Sequence, residues 1–382
     1  MVGLVGYNYF YTPFAQLPQE DSASDSSQLT TSYPLVNEMA PSTPETATAE
    51  ERALQNMSQR EKVLLLIATP LSVGEPLQIE DVLAWLETNP TGMVTLFGSD
   101  VSVDEAGEVV SQVQTTYTTA VFSPIIAVDH EGGSVQRLSG KGFTTLPSWF
   151  AVCEIENPQE RQELLASSAA ELREVGVSMV FAPVVDTRVN GSPLGNRACS
   201  ADQAIITRRA QEFITAFENK GVVSVIKHFP NIGKVNQDLH VSYGSTDVSP
   251  DEMIAFENLT KQNDMLGIMV SHAGLESIDS TLPCAQNIEC VALARSNKDN
   301  LIVSDALEMA AALGAGDQTT TQAAIDTLKA GVDVIVLEKG ASSESLEELV
   351  VSITAAVEQD SVLQSNIDAA ALRVLHYSTF AQ

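Results

Sequence analysis

Basic residues are scarce in this chain of 382 residues. It has 20 Lys and Arg against 50 Asp and Glu, which gives a formal net charge of −30. Binding to a nucleic-acid backbone or to an anionic membrane surface requires a basic protein surface, so the composition argues against both kinds of partner. We therefore expect no nucleic acid among its partners.

Cysteine and long apolar runs are also scarce. Four cysteines are too few for a disulfide scaffold in a chain of this length. No run approaches the ~18 apolar residues that a complete membrane-spanning helix needs. With 44% apolar residues the chain nevertheless has enough apolar surface to fold, and it is long enough to bury one large core.

The composition divides the chain into an N-terminal tail, residues 1–55, and a body, residues 56–382. The first basic residue is Arg52, and Ser, Thr, Pro, Glu and Asp dominate before it. Such a segment buries too little apolar surface to offset its ordering entropy, so we expect a disordered or extended linker. The opening residues MVGLVGYNYFYTPF are apolar and aromatic, but they lack the basic residues of a secretory signal.

Three interpretations of this N-terminus remain open. It is the remnant of a membrane anchor, a strand that packs on the body, or the mobile N-terminus of a cytosolic enzyme. A Ser/Thr/Pro-rich stalk after an apolar start favours export or surface tethering slightly over a cytoplasmic location. We expect contact with a membrane only through such an anchor, and we expect a monomer.

Eight short apolar runs follow from residue 63 onward, separated by longer amphipathic stretches. A nearly continuous apolar run is typical of a strand that is buried on both faces. Several intervals have helical spacing; residues 159–176, for example, end at Gly176. The runs are VLLLIA from Val63, MVTLF from Met93, IIAV from Ile125, MVFAPVV from Met179, VVSVI from Val222, LGIMVS from Leu266, LIVS from Leu301 and VDVIVL from Val332.

Eight successive β/α units predict an α/β fold, a (β/α)8 TIM barrel that forms a single catalytic domain. The competing fold is an open, doubly wound sheet. No GxGxxG motif follows the first run, which removes the usual reason to prefer that sheet.

Polar residues stand where six of the eight runs end. Catalytic side chains of such barrels lie at the carboxyl ends of the strands, so we expect these residues to meet there. Buried charge is costly unless it has a partner or a function, which favours a functional site. The residues are Asp129, Asp186, Lys227 with His228, His272, Asp305 and Glu338.

This set of side chains raises three kinds of chemistry. The histidines lack HxH or HExxH spacing, which argues against a zinc site. Lys227 at a strand end would suit a Schiff-base lyase. Carboxylates, cations and imidazoles also hold sugar hydroxyls by charge-assisted hydrogen bonds. A carboxylate nucleophile such as Asp305, with a separate proton donor, would then give glycoside hydrolysis.

Three motifs stand in order along the body: IIAVDHEGGSVQRL, KHFPNIGKVNQDLH and LIVSDALEMAA. They resemble glycoside hydrolase family 3, and in particular its β-N-acetylglucosaminidase branch. The first is similar to the family's signature and the third to its nucleophile strand. The second resembles a loop of that branch, whose pattern is near K-H-F-P-G-H-G, four spacer residues, then D-S-H. The resemblance covers about residue 56 to the end. It implies a retaining exo-β-N-acetylglucosaminidase that acts on peptidoglycan fragments or related amino sugars without a metal or cofactor.

The resemblance also implies a role for each matching residue. Asp305 would be the nucleophile that forms a glycosyl-enzyme intermediate. His240 would be the general acid and then the base, paired with Asp238. These two residues are two positions apart, so in an extended segment their side chains point to the same side. The residues implied to hold the sugar are Asp129, Arg137, Arg197, Lys227 and His228, with His272 near the N-acetyl-bearing sugar.

The chain departs from the family's pattern at several positions. Two alternatives stay open: a family 3-like β-glycosidase of other specificity, or a carbohydrate-binding barrel with impaired turnover, which the altered loop suggests. We expect the polar segment from residue 231 to residue 242 to be mobile and to close over substrate. The departures are Asn231-Ile232 for Gly-His, Leu239 for Ser, Ser134 for Arg and Ala198-Cys199 for Ser-Phe.

The four cysteines leave one disulfide bond open. Cys284 and Cys290 are close enough in sequence for a small-loop disulfide if the protein is exported. Cys153 and Cys199 are expected to be ordinary unpaired thiols.

Overall fold

The computed structural model describes residues 47–316 and 318–380, and its centre is a closed barrel of eight parallel strands. Each strand pairs with the next one along the chain, and the last pairs with the first. The predicted (β/α)8 barrel is therefore confirmed. The strands are β1 (Ile67–Ser72), β2 (Met93–Phe97), β3 (Ile125–Val128), β4 (Met179–Val180), β5 (Val223–Phe229), β6 (Leu266–Val270), β7 (Ile302–Ala306) and β8 (Val334–Val336).

Helices surround the barrel, and local sequence signals set several of their ends. Ser102 and Glu105 form a capping box at the start of one helix, and Gly176 ends another in the left-handed conformation, with φ of 99°. The α-helices of the described residues are α1 (Ala49–Asn56), α2 (Gln59–Leu65), α3 (Pro76–Leu86), α4 (Val103–Thr116), α5 (Trp149–Glu154), α6 (Pro158–Val175), α7 (Gln203–Glu218), α8 (Ile254–Gln262), α9 (Ile288–Ala294), α10 (Thr320–Ala330), α11 (Ser343–Val357) and α12 (Ser361–Ser378).

The first predicted strand is displaced along the chain. The run from Val63 was predicted as a strand, but its first three residues end helix α2, and β1 starts at Ile67. Ser58 and Glu61 form a capping box that starts this helix. Its apolar residues are buried, and a short continuous apolar run does not distinguish a buried helix end from a buried strand.

Strand β4 is shorter than the apolar run from Met179 predicted. It covers Met179–Val180, and beyond it a single bridge joins Val184 to Lys227 of β5. Pro183 lies between the two contacts, and proline has no N–H to donate to a ladder. The chain therefore stays beside β5 but leaves the regular strand early.

Short strands order the loops at one end of the barrel. His130–Gly132 pairs with Val135–Gln136 directly after β3. A second sheet joins Ser245–Thr246, Gly274–Leu275 and Asp279–Pro283, which lie in the loops after β5 and β6. The loops that follow these three barrel strands are thus held by backbone hydrogen bonds of their own.

The predicted tail lies largely outside the described residues. Residues 1–46 carry the proposed anchor and linker, so both remain predictions, as do export and the monomeric state. The described part already contains helix α1 ahead of the predicted boundary at residue 56, with a capping box between Thr48 and Glu51. Among the described residues, no helix combines the length and the apolar character needed to cross a membrane.

The described residues contain two disulfide bonds. Cys284 is bonded to Cys290, a pairing that the sequence leaves open. Cys153 is bonded to Cys199, so the expectation of unpaired thiols there is wrong. The two residues are 46 positions apart, and spacing alone does not reveal such a connection. This bond ties α5 to the loop after β4, two residues beyond Arg197.

Loss of the Cys153–Cys199 bond is expected to cost more stability than loss of the Cys284–Cys290 bond. The double alanine variant of the first pair should lose about 4 kcal/mol of unfolding free energy and that of the second about 2 kcal/mol, because the longer loop restricts the unfolded chain more. Urea unfolding of the two double variants and of wild type would measure this. An equal loss from both pairs would contradict the loop-length argument.

Candidate active site

A cavity of about 790 Å³ opens at the carboxyl ends of the barrel strands. It brings together eight of the nine residues to which the family resemblance gives a role. His272 is the exception, since it is fully buried behind the cavity wall. The predicted residues that line the cavity are Asp129, Arg137, Arg197, Lys227, His228, Asp238, His240 and Asp305.

Lys227 holds two carboxylates together at the floor of this cavity. Its Nζ lies 2.6 Å from Asp129 Oδ1 and 2.6 Å from Glu131 Oε1. Burial by itself would lower the pKa of Lys227, but the two carboxylates outweigh it and hold the pKa above its ordinary value. The lysine is therefore an ammonium group that donates hydrogen bonds. An ammonium group has no lone pair for a Schiff-base reaction.

Glu131 organises the cationic side of the cavity, and the sequence analysis did not select it. Arg197 binds it in a bidentate pair, with Nε 2.8 Å from Oε2 and Nη2 2.9 Å from Oε1. Burial would raise the pKa of Glu131, but Arg197 and Lys227 hold it far below its usual range. One sequence signal was available, since Glu131 follows Asp129 by two positions and lies on the same side of an extended chain.

A second buried carboxylate, Asp186, orients His228. Its Oδ2 accepts hydrogen bonds from His228 Nδ1 at 2.7 Å and from the His228 backbone N–H at 3.1 Å. Its Oδ1 accepts from the Ile232 backbone N–H at 2.7 Å. Nε2 of the ring then lies 3.2 Å from Arg197 Nη2. Asp186 ends one of the predicted strands, but it supports the site from behind and does not line the cavity.

Asp238 and His240 form a close pair on the rim of the cavity. His240 Nδ1 lies 2.8 Å from Asp238 Oδ1, which also accepts from the His240 backbone N–H at 3.0 Å. Both bonds lower the pKa of Asp238, and the bond to the side chain of His240 has the larger effect. Both side chains are more than half exposed. Because Nδ1 is held by the carboxylate, Nε2 is the nitrogen left to face a substrate.

Asp305 lies at the end of β7 with its carboxylate directed into the cavity. Its Oδ1 accepts from the Ala306 N–H at 2.9 Å. Burial would raise the pKa of Asp305, but the imidazoles of His228 and His272 and the Ala306 N–H outweigh it, so the pKa lies below its usual range. The side chain is therefore an ionised carboxylate, as a nucleophile must be.

His272 supports the strand end that carries Asp305. Its Nε2 lies 3.1 Å from the backbone oxygens of Asp305 and Ala306. Carbonyl oxygens accept only, so Nε2 carries the proton and donates to both. Burial lowers the pKa of His272. His272 thus lies beneath the nucleophile and outside the cavity lining, and a place near the N-acetyl-bearing sugar stays a prediction.

Asn231 stands where the family's pattern has glycine, and both polar atoms of its side chain have hydrogen-bond partners. Its φ of 129° lies in a region that glycine favours. Its Nδ2 donates to Thr187 Oγ1 at 2.7 Å and to the Glu252 backbone oxygen at 3.0 Å. Its Oδ1 accepts from the backbone N–H groups of Thr187 and Gly233, each at 3.1 Å. The first residue of the altered loop is therefore held in place by four side-chain hydrogen bonds.

The fold and the site together define a barrel enzyme for a substrate rich in hydroxyl groups. The sequence model of the glycosyl hydrolase family 3 N-terminal domain matches residues 60–377 of this chain. The chain therefore belongs to glycosyl hydrolase family 3. It is a glycoside hydrolase, and its substrate is a carbohydrate.

Named relatives agree with this assignment. The chain is similar to a β-hexosaminidase of Idiomarina loihiensis, 32% identical over 275 residues that cover 69% of this chain and 81% of the relative. A β-hexosaminidase of Methylococcus capsulatus is 34% identical over 257 residues, 64% of this chain and 75% of the relative. The crystal structure of a β-N-acetylhexosaminidase from Beutenbergia cavernae matches with a TM-score of 0.75 and 27% identity, over 85% of this chain and 99% of that one.

Proposed function

We propose that the protein is a retaining exo-β-N-acetylhexosaminidase. In this proposal it removes terminal N-acetylglucosamine from peptidoglycan fragments or related amino-sugar glycosides through a covalent glycosyl-enzyme intermediate. One observation carries the proposal: an ionised Asp305 and the paired Asp238 and His240 line the same cavity. The names of the relatives support the choice of sugar.

Asp305 is the nucleophile in this mechanism. Its carboxylate attacks the anomeric carbon while the glycosidic C–O bond breaks, and an ester between sugar and protein forms. Water then attacks the same carbon from the opposite face and releases the carboxylate. Two inversions at one carbon leave the configuration of the sugar unchanged.

His240 moves the proton in both steps. Nε2 first donates a proton to the departing oxygen and later takes one from the attacking water. Asp238 holds Nδ1, which fixes the direction of the ring. An imidazole nitrogen can both donate and accept a proton, so one side chain serves both steps.

The buried ionic groups fix the sugar. Lys227 and Arg197 are held by Glu131, and Asp129 is held by Lys227, so each presents its remaining polar edge at a fixed place. Charge-assisted hydrogen bonds from such groups suit sugar hydroxyls. His228 and the exposed Arg137 complete the proposed binding set.

Two alternatives remain testable. A barrel that binds carbohydrate without turnover would bind N-acetylglucosamine but hydrolyse nothing, and the changed Asn231 motivated that idea. A Schiff-base lyase would use Lys227, but the two carboxylates that keep its Nζ protonated disfavour this. We expect borohydride to leave no sugar adduct on Lys227, as intact-protein mass spectrometry would record.

Replacement of His240 by alanine should separate the hydrolase from a binding barrel. We expect wild type to hydrolyse a chromogenic N-acetyl-β-glucosaminide, and His240→Ala to lose about 10²–10⁴-fold in kcat, the usual contribution of general acid–base catalysis. Sugar binding, measured by calorimetry, should be largely retained. Sugar binding without hydrolysis by wild type would favour the binding barrel, and full activity of the variant would refute the role of His240.

A further inference from the structure

The residue between the two members of the proton-transfer pair points away from them. Asp238 and His240 are more than half exposed, whereas Leu239 is only 5% exposed. Asp238 begins a turn in which the Val241 N–H donates to the Asp238 backbone oxygen at 2.9 Å, and this turn buries Leu239 while it leaves the pair exposed. The polar sequence of this segment predicts mobility, and Leu239 stands where the family's pattern has Ser.

Leu239 is buried in a small apolar cluster of its own, separate from the main core. We call it the Leu239 cluster. Its members come from four segments: the loop after β4, the loop after β5 that carries Asp238 and His240, the loop after β6 and the segment after β7. Leu239 therefore joins the loop of this pair to the segments that follow three other barrel strands. The buried residues of this cluster are Leu194, Ala198, Ile232, Val235, Leu239, Ala273, Met309 and Ala311.

Backbone hydrogen bonds attach the same loop to the nucleophile's own segment. The Ala311 N–H donates to the Leu239 oxygen at 3.1 Å, and the Ala310 N–H donates to the His240 oxygen at 3.3 Å. Both donors belong to the short 3-10 helix Ala310–Leu313, which begins a few residues after Asp305. The loop is thus joined to this helix by both its backbone and a buried side chain.

We propose that Leu239 is a positioning residue, which holds the Asp238–His240 pair at the cavity before any substrate binds. The inference rests on the proposed hydrolase function and extends it. Burial of Leu239 stabilises the ordered loop, so substrate binding need not supply that ordering free energy. The loop is therefore ordered at the cavity before substrate binds, whereas its polar sequence predicts a mobile segment.

Two substrates that differ in leaving group distinguish positioning of His240 from general damage. An alkyl or methylumbelliferyl N-acetyl-β-glucosaminide needs a proton on its leaving oxygen, whereas a dinitrophenyl glycoside does not. For Leu239→Ala we expect kcat on the first kind to fall about tenfold or more, within the range of general acid catalysis. Formation of the glycosyl-enzyme from the dinitrophenyl glycoside should change about twofold or less, and Leu239→Met, which nearly preserves volume, should recover most of the lost rate.

Amide hydrogen exchange tests the position of the loop directly, whether or not hydrolysis is observed. In Leu239→Ala the Ala310 and Ala311 amides should exchange about tenfold faster or more, since their acceptors move away. Val241→Ala is the matched control, because Val241 lies in the same loop with its side chain 74% exposed. It should leave exchange unchanged.

Three results would overturn the inference. They are unchanged exchange in Leu239→Ala, equal slowing of both substrates, and no recovery in Leu239→Met. Absence of hydrolysis by wild type would instead refute the proposed function, and exchange would still decide whether Leu239 holds the loop.

Discussion

Asp305→Asn is expected to lower kcat by at least about 10⁴-fold, as loss of a nucleophile does in other covalent mechanisms. Asparagine has nearly the same size, and its oxygen still accepts from the Ala306 N–H that now lies 2.9 Å from Oδ1. Its amide oxygen is too weak a nucleophile to form the glycosyl ester. The fold and sugar binding should therefore survive while turnover is lost.

Hydrolysis of a chromogenic N-acetyl-β-glucosaminide measures the loss, and calorimetry with N-acetylglucosamine checks that the site still binds. A slow substrate should leave a covalent sugar on wild type in intact-protein mass spectrometry and none on Asp305→Asn. Asp305→Ala should behave in the same way. If either variant kept the full rate, Asp305 would not be the nucleophile.

Much of the site was predictable because barrel geometry gathers residues that are distant in sequence. Asp129, Lys227 and Asp305 each end a short apolar run, and the parallel strands carry them to one cavity. Periodicity alone predicts the ends of helices and strands less well than their existence. It could not separate the buried end of helix α2 from the start of strand β1, since residues 63–68 form one continuous apolar run across both.

The supporting contacts were beyond the reach of sequence patterns. Glu131 lies two residues after Asp129, which ends a predicted strand, but its partners Arg197 and Lys227 follow 66 and 96 positions later, as their numbers show. The Cys153–Cys199 bond spans 46 positions and Leu239 packs on three separate loops, so neither follows from local spacing. Such contacts arise only when the closed barrel brings its loops together.

The departures from the family's pattern therefore form part of the site's construction. Asn231 supplies four hydrogen bonds at the start of the altered loop, and Ile232 joins the apolar cluster that buries Leu239. Cys199 stands where Phe is usual and is bonded to Cys153. Each replacement adds a contact that orders a loop around the cavity, which is consistent with an active enzyme.

Glu131→Gln is expected to weaken both the fold and the binding of sugar. The neutral amide leaves Arg197 without its counter-charge. Lys227, which is only 2% exposed, keeps its ion pair with Asp129 but loses the one with Glu131. Removal of one partner of a buried ionic group costs about 3–5 kcal/mol. Since Arg197 would lose its bidentate partner, we also expect kcat/KM to fall by about 100-fold, as a displacement of about 1 Å in a binding group does.

Glu212→Gln gives the matched control, because it breaks a bidentate pair with the buried Arg161 that lies outside the cavity. Urea unfolding should show a loss of stability in both variants, whereas kcat/KM should fall only in Glu131→Gln. This comparison separates the electrostatic support of the site from the general cost of a broken ion pair. An unchanged kcat/KM in Glu131→Gln would mean that the Arg197 guanidinium does not depend on Glu131 to bind the sugar, or does not bind it at all.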